Sequence, residues 1–211
     1  MKLNYFNITV SVFILLFSSK NFAQQSPIPV ELFAGNRAIT YQHVLNKNIL
    51  DNKFNFFNVV SFDAEYEENG NSIYVVQSLV SYKITNKFSL GIGGQLQNIG
   101  AFAIVGVQFA HATDNFLLVI LPTVTITGKT NYEQFLLLEY RPKINEKIRG
   151  YFRTQFLVNT DFTKYNRGYQ QLRLGLEKKN IQFGLAATFD QFNSSTITTS
   201  NYGVFTRLLV F

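Results

Sequence analysis

Two histidines and no cysteine are all that this 211-residue chain offers for imidazole or thiol chemistry. The absence of cysteine excludes thiol nucleophiles, thiolate metal sites and disulfides. His43 and His111 are far apart and have no clustered ligand partners, so neither matches the spacing of a metal site. A hydrolase needs a nucleophile activated by a neighbouring base, and no Gly-x-Ser-x-Gly elbow occurs. The run Leu90-Gly-Ile-Gly-Gly94 superficially suggests a phosphate cradle. It lies inside an alternating stretch and not at a strand-to-helix turn, so its small residues are better read as relieving crowding or allowing a bend. No catalytic residue, cofactor or metal is expected, and the chain is read as a non-enzyme.

The remaining chemistry is charge that recurs on one face of successive segments. Asp63, Glu65, Lys83, Glu133, Glu139, Arg141, Arg149, Arg153, Arg173, Glu177, Asp190 and Arg207 all fall on the polar side of an alternation. Such a set could line a small polar pore, hold a charged ligand, or fill a lumen by pairing within it. The two signs nearly balance, which favours filling, because selective pores more often carry an excess of one sign. Basic residues are scattered and not clustered into a patch, so no nucleic-acid partner is expected.

The elements that would position these charges repeat with a period close to 2. From residue 53 onward, ten segments follow one another: 54–66, 72–84, 88–96, 101–110, 116–126, 132–142, 148–158, 170–176, 181–191 and about 202–211. In the first, Phe54, Phe56, Val60, Phe62, Ala64 and Tyr66 oppose Asn55, Ser61, Asp63 and Glu65. Segments 101–110 and 116–126 are apolar on both faces. Turn residues such as Glu68-Asn69-Gly70-Asn71 separate the segments. Pro122 and Pro142 are expected at bulges or strand ends.

Strands of ten or more residues suit the ~9–11 that a tilted transmembrane strand requires. The 22 Phe and 11 Tyr are too many for the interior of a soluble domain this size, whereas a barrel can turn them to lipid. The expected fold is an all-β, antiparallel, up-and-down transmembrane barrel. Ten strands are favoured, with twelve (the N-terminal stretch split in two) or eight as alternatives.

Residues 1–23 read as an export signal: Lys2 precedes an apolar run from Ile8 to Phe17, and Ala23 offers a cleavage point. Residues 24–52 form an N-terminal segment expected in the periplasm or within the lumen, and 53–211 the barrel. With the C-terminus in the periplasm, the tight turns 85–87, 145–147 and 178–180 lie inside. The polar stretches 160–167 and 193–200 lie outside as long loops. His111 then falls in a periplasmic turn.

Phe22-Ala-Gln-Gln25, Glu31-Leu-Phe-Ala-Gly-Asn36 and the closing Asn201-Tyr-Gly-Val-Phe-Thr-Arg-Leu-Leu-Val-Phe211 together resemble outer-membrane barrel proteins of the Bacteroidota. The resemblance implies an outer-membrane address and no assigned catalytic residue. A terminal aromatic would suit assembly by the barrel-assembly machinery. A frame with Phe211 outward also sends Arg207 to lipid, so Tyr202, Val204, Thr206, Leu208 and Val210 are expected outward. The leading expectation is a small integral outer-membrane protein with a structural, surface-interaction or narrow-pore role. Its partners would be membrane lipid and a small polar solute. A lipid- or envelope-modifying enzyme and a soluble secreted barrel for an apolar ligand are the alternatives.

Overall fold

The computed structural model describes residues 27–67, 72–128, 130–192 and 197–211. The expected leader, 1–23, lies outside them. Twelve strands form one closed antiparallel barrel. They are β1 (Ile28–Gly35), β2 (Ala38–Ile49), β3 (Phe54–Glu65), β4 (Ile73–Lys83), β5 (Phe88–Gln97) and β6 (Gly100–Ala112). The second half comprises β7 (Phe116–Thr125), β8 (Tyr132–Tyr140), β9 (Arg149–Thr160), β10 (Tyr165–Lys178), β11 (Ile181–Phe192) and β12 (Ile197–Val210). Each strand pairs with its sequence neighbour, and β1 closes the ring on β12 from Ile28 opposite Val210 to Gly35 opposite Gly203.

The count is the alternative of twelve and not the favoured ten. The two additional strands, β1 and β2, come from the stretch expected in the periplasm or the lumen, which is instead part of the wall. Their alternation is real but blurred. Tyr41, His43 and Lys47 lie on the outward face of β2, and the connection between β1 and β2 is too short to announce itself. Without β1, the inner edge of β12 would have unpaired backbone groups, which a membrane cannot satisfy.

Both described termini lie at one end, the terminal rim, with the connections β2–β3, β4–β5, β6–β7, β8–β9 and β10–β11. The opposite end, the loop rim, carries the others. The tight turns 85–87 and 178–180 fall on the terminal rim as expected. Half of the polar stretch 160–167 is strand, since β9 runs to Thr160 and β10 begins at Tyr165; of 193–200, residues 193–196 lie outside the described residues and β12 begins at Ile197. Tyr165 pairs with Thr160 and Arg167 with Asn159 across a bulge, so these polar residues extend the wall past the apolar belt. His111 lies near the end of β6, its ring 6.5 Å from that of Phe116, because β6 runs to Ala112.

The exterior is apolar. Leu32, Ile92, Leu174, Leu185 and Val204 are each more than half exposed. An apolar surface of this extent is stable against lipid and not against water. Aromatic rings bracket it at both levels. Towards the terminal rim, Phe54 packs on Tyr82 and Phe88 on Phe109, at 5.4 and 5.1 Å between centroids. Towards the loop rim, Phe189 packs on Tyr202 at 5.5 Å. On β4 the bracketing residues are Tyr82 and Tyr74, about 26 Å apart along a strand rising ~3.3 Å per residue.

Pro122 sits inside β7, neither at a bulge nor at an end. The β6–β7 ladder lapses between Gly106–Thr123 and Phe109–Ile120, where Pro122 has no N–H to donate. Pairing with β8 continues through Pro122 opposite Gln134. Pro142 follows the end of β8, as expected.

Candidate functional site: a lumen with two unlike walls

Alternation sends every second side chain inward, and the inward residues differ from one side of the barrel to the other. Around β9, β10, β11, β12 and β1 most of them are polar or aromatic and fill the space. Glu31 is 2 % exposed and bridges two cations: Arg153 Nη1 at 3.1 Å and Arg173 Nε at 2.9 Å. Arg153 also donates to Gln42 at 2.9 Å and Gln155 at 2.6 Å. The Arg173 guanidinium lies 4.7 Å over the Phe33 ring, within a packed cluster of Phe33, Tyr151, Ala186 and Phe205.

Towards the terminal rim a second network forms. Arg207 Nη1 donates to Glu139 at 2.8 Å, to Gln182 at 3.2 Å and to the Tyr151 hydroxyl. Gln182 donates onward to Glu177 at 2.6 Å, and Arg141 lies 3.4 Å from Glu139 and 3.7 Å from Glu177. Towards the loop rim, Arg167 donates to Asp190 at 2.9 Å, while Arg37 pairs with Glu65 and lies 3.8 Å from Asp190. Most pairs, such as Glu31 with Arg153 and Arg173 and Arg207 with Glu139, span different strands, so the network also cross-braces the wall.

The facing wall carries an apolar cluster among neutral amides and hydroxyls, such as Gln77, Gln95, Gln108 and Thr123. Phe57, Leu79, Ile104 and Leu121 form a buried cluster, with Val44, Val59 and Phe135 packed against it. This explains segments that are apolar on both faces: β6 and β7 turn one apolar face to lipid and the other to the lumen. Between the walls runs a cavity of about 1520 Å³, lined from Pro29 and Leu209 at the terminal rim to Glu67 and Ile99 at the loop rim. The lumen is therefore part filled and part open.

Of the twelve charges expected inside, Asp63, Glu65, Glu133, Glu139, Arg141, Arg153, Asp190 and Arg207 line this cavity. Arg173 and Glu177 face inward within the network. Lys83 ends β4 on its inward face, at the terminal rim and away from the others. Arg149 is also a rim residue, donating to the Asp114 carbonyl at 2.9 Å. Three charges central to the networks were not among those expected. Glu31 and Arg37 lie in the N-terminal stretch, and Arg167 lies in a stretch read as loop. The alternation Val30, Leu32, Ala34 against Glu31, Phe33, Gly35 was the available signal for the first.

A polar group on β2 faces the other way. His43 projects outward from β2, with Nδ1 3.0 Å from the Tyr41 hydroxyl and Nε2 3.2 Å from Asn58 Oδ1. Asn58 Nδ2 donates to the Gln77 carbonyl at 3.1 Å and to Ser78 at 2.9 Å. A backbone carbonyl can only accept, so the amide orientation is fixed. His43 Nε2 therefore carries the proton given to Asn58, and Nδ1 accepts from the phenol.

No protein-family model matches the sequence, and no curated protein is similar to it. Solved structures with a similar fold are outer-membrane barrels. The KdgM porin in complex with disordered oligogalacturonate superposes with a TM-score of 0.51 at 11% identity, over 87% of this chain and 99% of that one. For the NanC porin the TM-score is 0.50 at 10% identity, over 88% and 100%. LpxR from Salmonella typhimurium gives 0.47 at 6%, over 87% and 100%. The chain thus has a porin-like outer-membrane barrel fold.

Proposed function

We propose that this protein resides in the outer membrane and that its lumen is a narrow pore for small polar solutes. The observation that carries the reading is the cavity of about 1520 Å³ reaching both rims beside a self-paired charge network. A lumen needed only as filling would hold side chains from wall to wall. The porin folds of KdgM and NanC support it, as does an exterior fit for lipid. Membrane lipid and the barrel-assembly machinery are its expected partners, and the Bacteroidota-type resemblance belongs to the same reading. Purified, folded protein reconstituted into planar bilayers should give discrete conductance steps. Silent bilayers containing protein of heat-modifiable mobility would remove the pore.

A second reading, an envelope-lipid enzyme, rests on the Tyr41–His43–Asn58 chain alone. It sets a base between a hydroxyl and an orienting amide on the lipid-facing wall. Under this reading, release of fatty acid from phospholipid vesicles disappears in His43→Ala. Folded wild-type protein that releases none rules the enzyme out.

A further inference from the structure

The charges of the lumen are not shared evenly along its length. In the loop-rim half, Asp63, Glu65, Glu67, Glu133, Asp161 and Asp190 line the cavity with three cations, Arg37, Lys164 and Arg167. Both guanidinium groups are committed. Arg37 pairs with Glu65 and leans towards Asp190. Arg167 pairs with Asp190 and lies 5.8 and 5.4 Å over the rings of Tyr169 and Phe192. Among the described residues, Asp63 and Glu133 have no cation within ion-pair distance. Glu133 is 5 % exposed and takes hydrogen bonds only from neutral amides, Gln95 Nε2 at 3.3 Å and Asn159 Nδ2 at 3.2 Å. A carboxylate this buried without a cation is costly unless it holds a proton or a cation is supplied to it.

A second observation is independent of the charge count. Among the described residues, the buried side-chain atoms of this half of the lining that have no hydrogen-bond partner include two carbonyl-type acceptors, Asp190 Oδ2, on a residue 1 % exposed, and Gln171 Oε1, on a residue 9 % exposed, beside Thr199 Oγ1 and the Nε groups of Arg37 and Arg167. Buried acceptors without donors are rare and call for a missing partner. The same stretch of cavity is also lined by Phe102, Ile73, Val75 and Phe135, beside the amides of Gln77, Gln95 and Gln97. A ligand that answered these features would bring N–H donors, a positive charge and an apolar body.

We infer that the loop-rim half of the lumen is a binding vestibule for small amphipathic ammonium compounds, which resides in the region of Asp63, Glu133, Gln171 and Asp190. This rests on the reading of the lumen as a solute pathway and names the solute class that its entrance takes. The ammonium group is held by the carboxylates and unsatisfied acceptors, and the apolar body lies against the facing wall. Further in, the positive Arg153–Glu31–Arg173 group retards a cation, so the compound lodges in the entrance and obstructs current.

The test is titration calorimetry of folded, full-chain protein in a non-ionic detergent, with phenethylammonium as probe and phenylacetate as the anion of matched size. Saturable binding of the ammonium is expected, at least tenfold tighter than of the anion, with a loss of tenfold or more in Glu133→Gln and in Asp63→Asn. In planar bilayers the same cation should block the current reversibly. Equal affinity for the two probes overturns the vestibule, and that comparison needs no variant to fold. So does wild-type affinity in both variants. Conductance without ammonium binding overturns the vestibule and leaves the pore. Ammonium binding to a barrel that never conducts sustains the vestibule and overturns the pore.

Discussion

Arg173 on β10 and Glu31 on β1 meet across the lumen at 2.9 Å, with side chains only 1 % and 3 % exposed. Arg153 shares the same carboxylate, so one anion serves two cations. Glu31→Gln keeps the shape and removes the charge, leaving both guanidinium groups buried without an anion. The expected loss is about 3–5 kcal/mol. Arg141→Gln, at a side chain 24 % exposed, should cost less than about 1 kcal/mol. Denaturant titration followed by heat-modifiable mobility reads both, and equal losses would mean that the Glu31 contacts do not order the lumen.

Phe33 separates packing from conduction. It is fully buried beneath the Arg173 guanidinium, in the half of the lumen that side chains fill. Phe33→Ala opens a void there at a cost of about 3–5 kcal/mol. It also removes the floor that holds Arg173 against the wall. The variant should be less stable and conduct more current than wild type. Lower stability with unchanged conductance would place the conducting path wholly along the apolar wall.

The strand alternation from Phe54 to Phe192 was legible because aromatic and aliphatic residues alternate with charges and amides along long segments. The frame of β12 was legible through one residue, Arg207, whose exposure to lipid would be costly. β1 and β2 were not, because the contrast between their faces is weak and their joint role, closing the ring, is a property of all twelve strands. The charges of the lumen could be listed from parity, yet their partners could not. Glu31 pairs with Arg153 and Arg173 across a space that no sequence spacing encodes. The difference between the walls was visible only as β6 and β7 being apolar on both faces.

The glycines of β5 give a prediction opposite in sense to a phosphate loop. A Cβ on Gly93 would lie 1.8 Å from the Ser78 carbonyl oxygen, whereas one on Gly94 would meet nothing closer than 3.7 Å. Gly93→Ala should therefore cost about 1–3 kcal/mol by forcing the β4 backbone away. Gly94→Ala, on the outward face, should stay within about 0.5 kcal/mol. Equal tolerance at both positions would show that the strands do not approach this closely.

Arg207 decides the frame of the last strand by the sign of an effect and not by its size. In this structure it points inward to Glu139, Gln182 and Tyr151, while Val204 on the same strand is 57 % exposed to the exterior. Arg207→Leu therefore leaves Glu139 with Arg141, at 3.4 Å, as its one cation beside the Tyr151 hydroxyl, and should destabilise by about 3 kcal/mol. Had the strand been set one residue over, with Phe205, Leu209 and Phe211 towards lipid, the same change would remove a lipid-facing arginine. It would then stabilise the barrel by about 2–4 kcal/mol. Val204→Arg reverses the comparison: it costs about 2–4 kcal/mol only if Val204 faces the bilayer. Unfolding both variants from phospholipid vesicles reads the two signs. Loss in both fixes the inward arginine, and a gain in Arg207→Leu with tolerance of Val204→Arg would require β12 to be re-registered against β1 and β11.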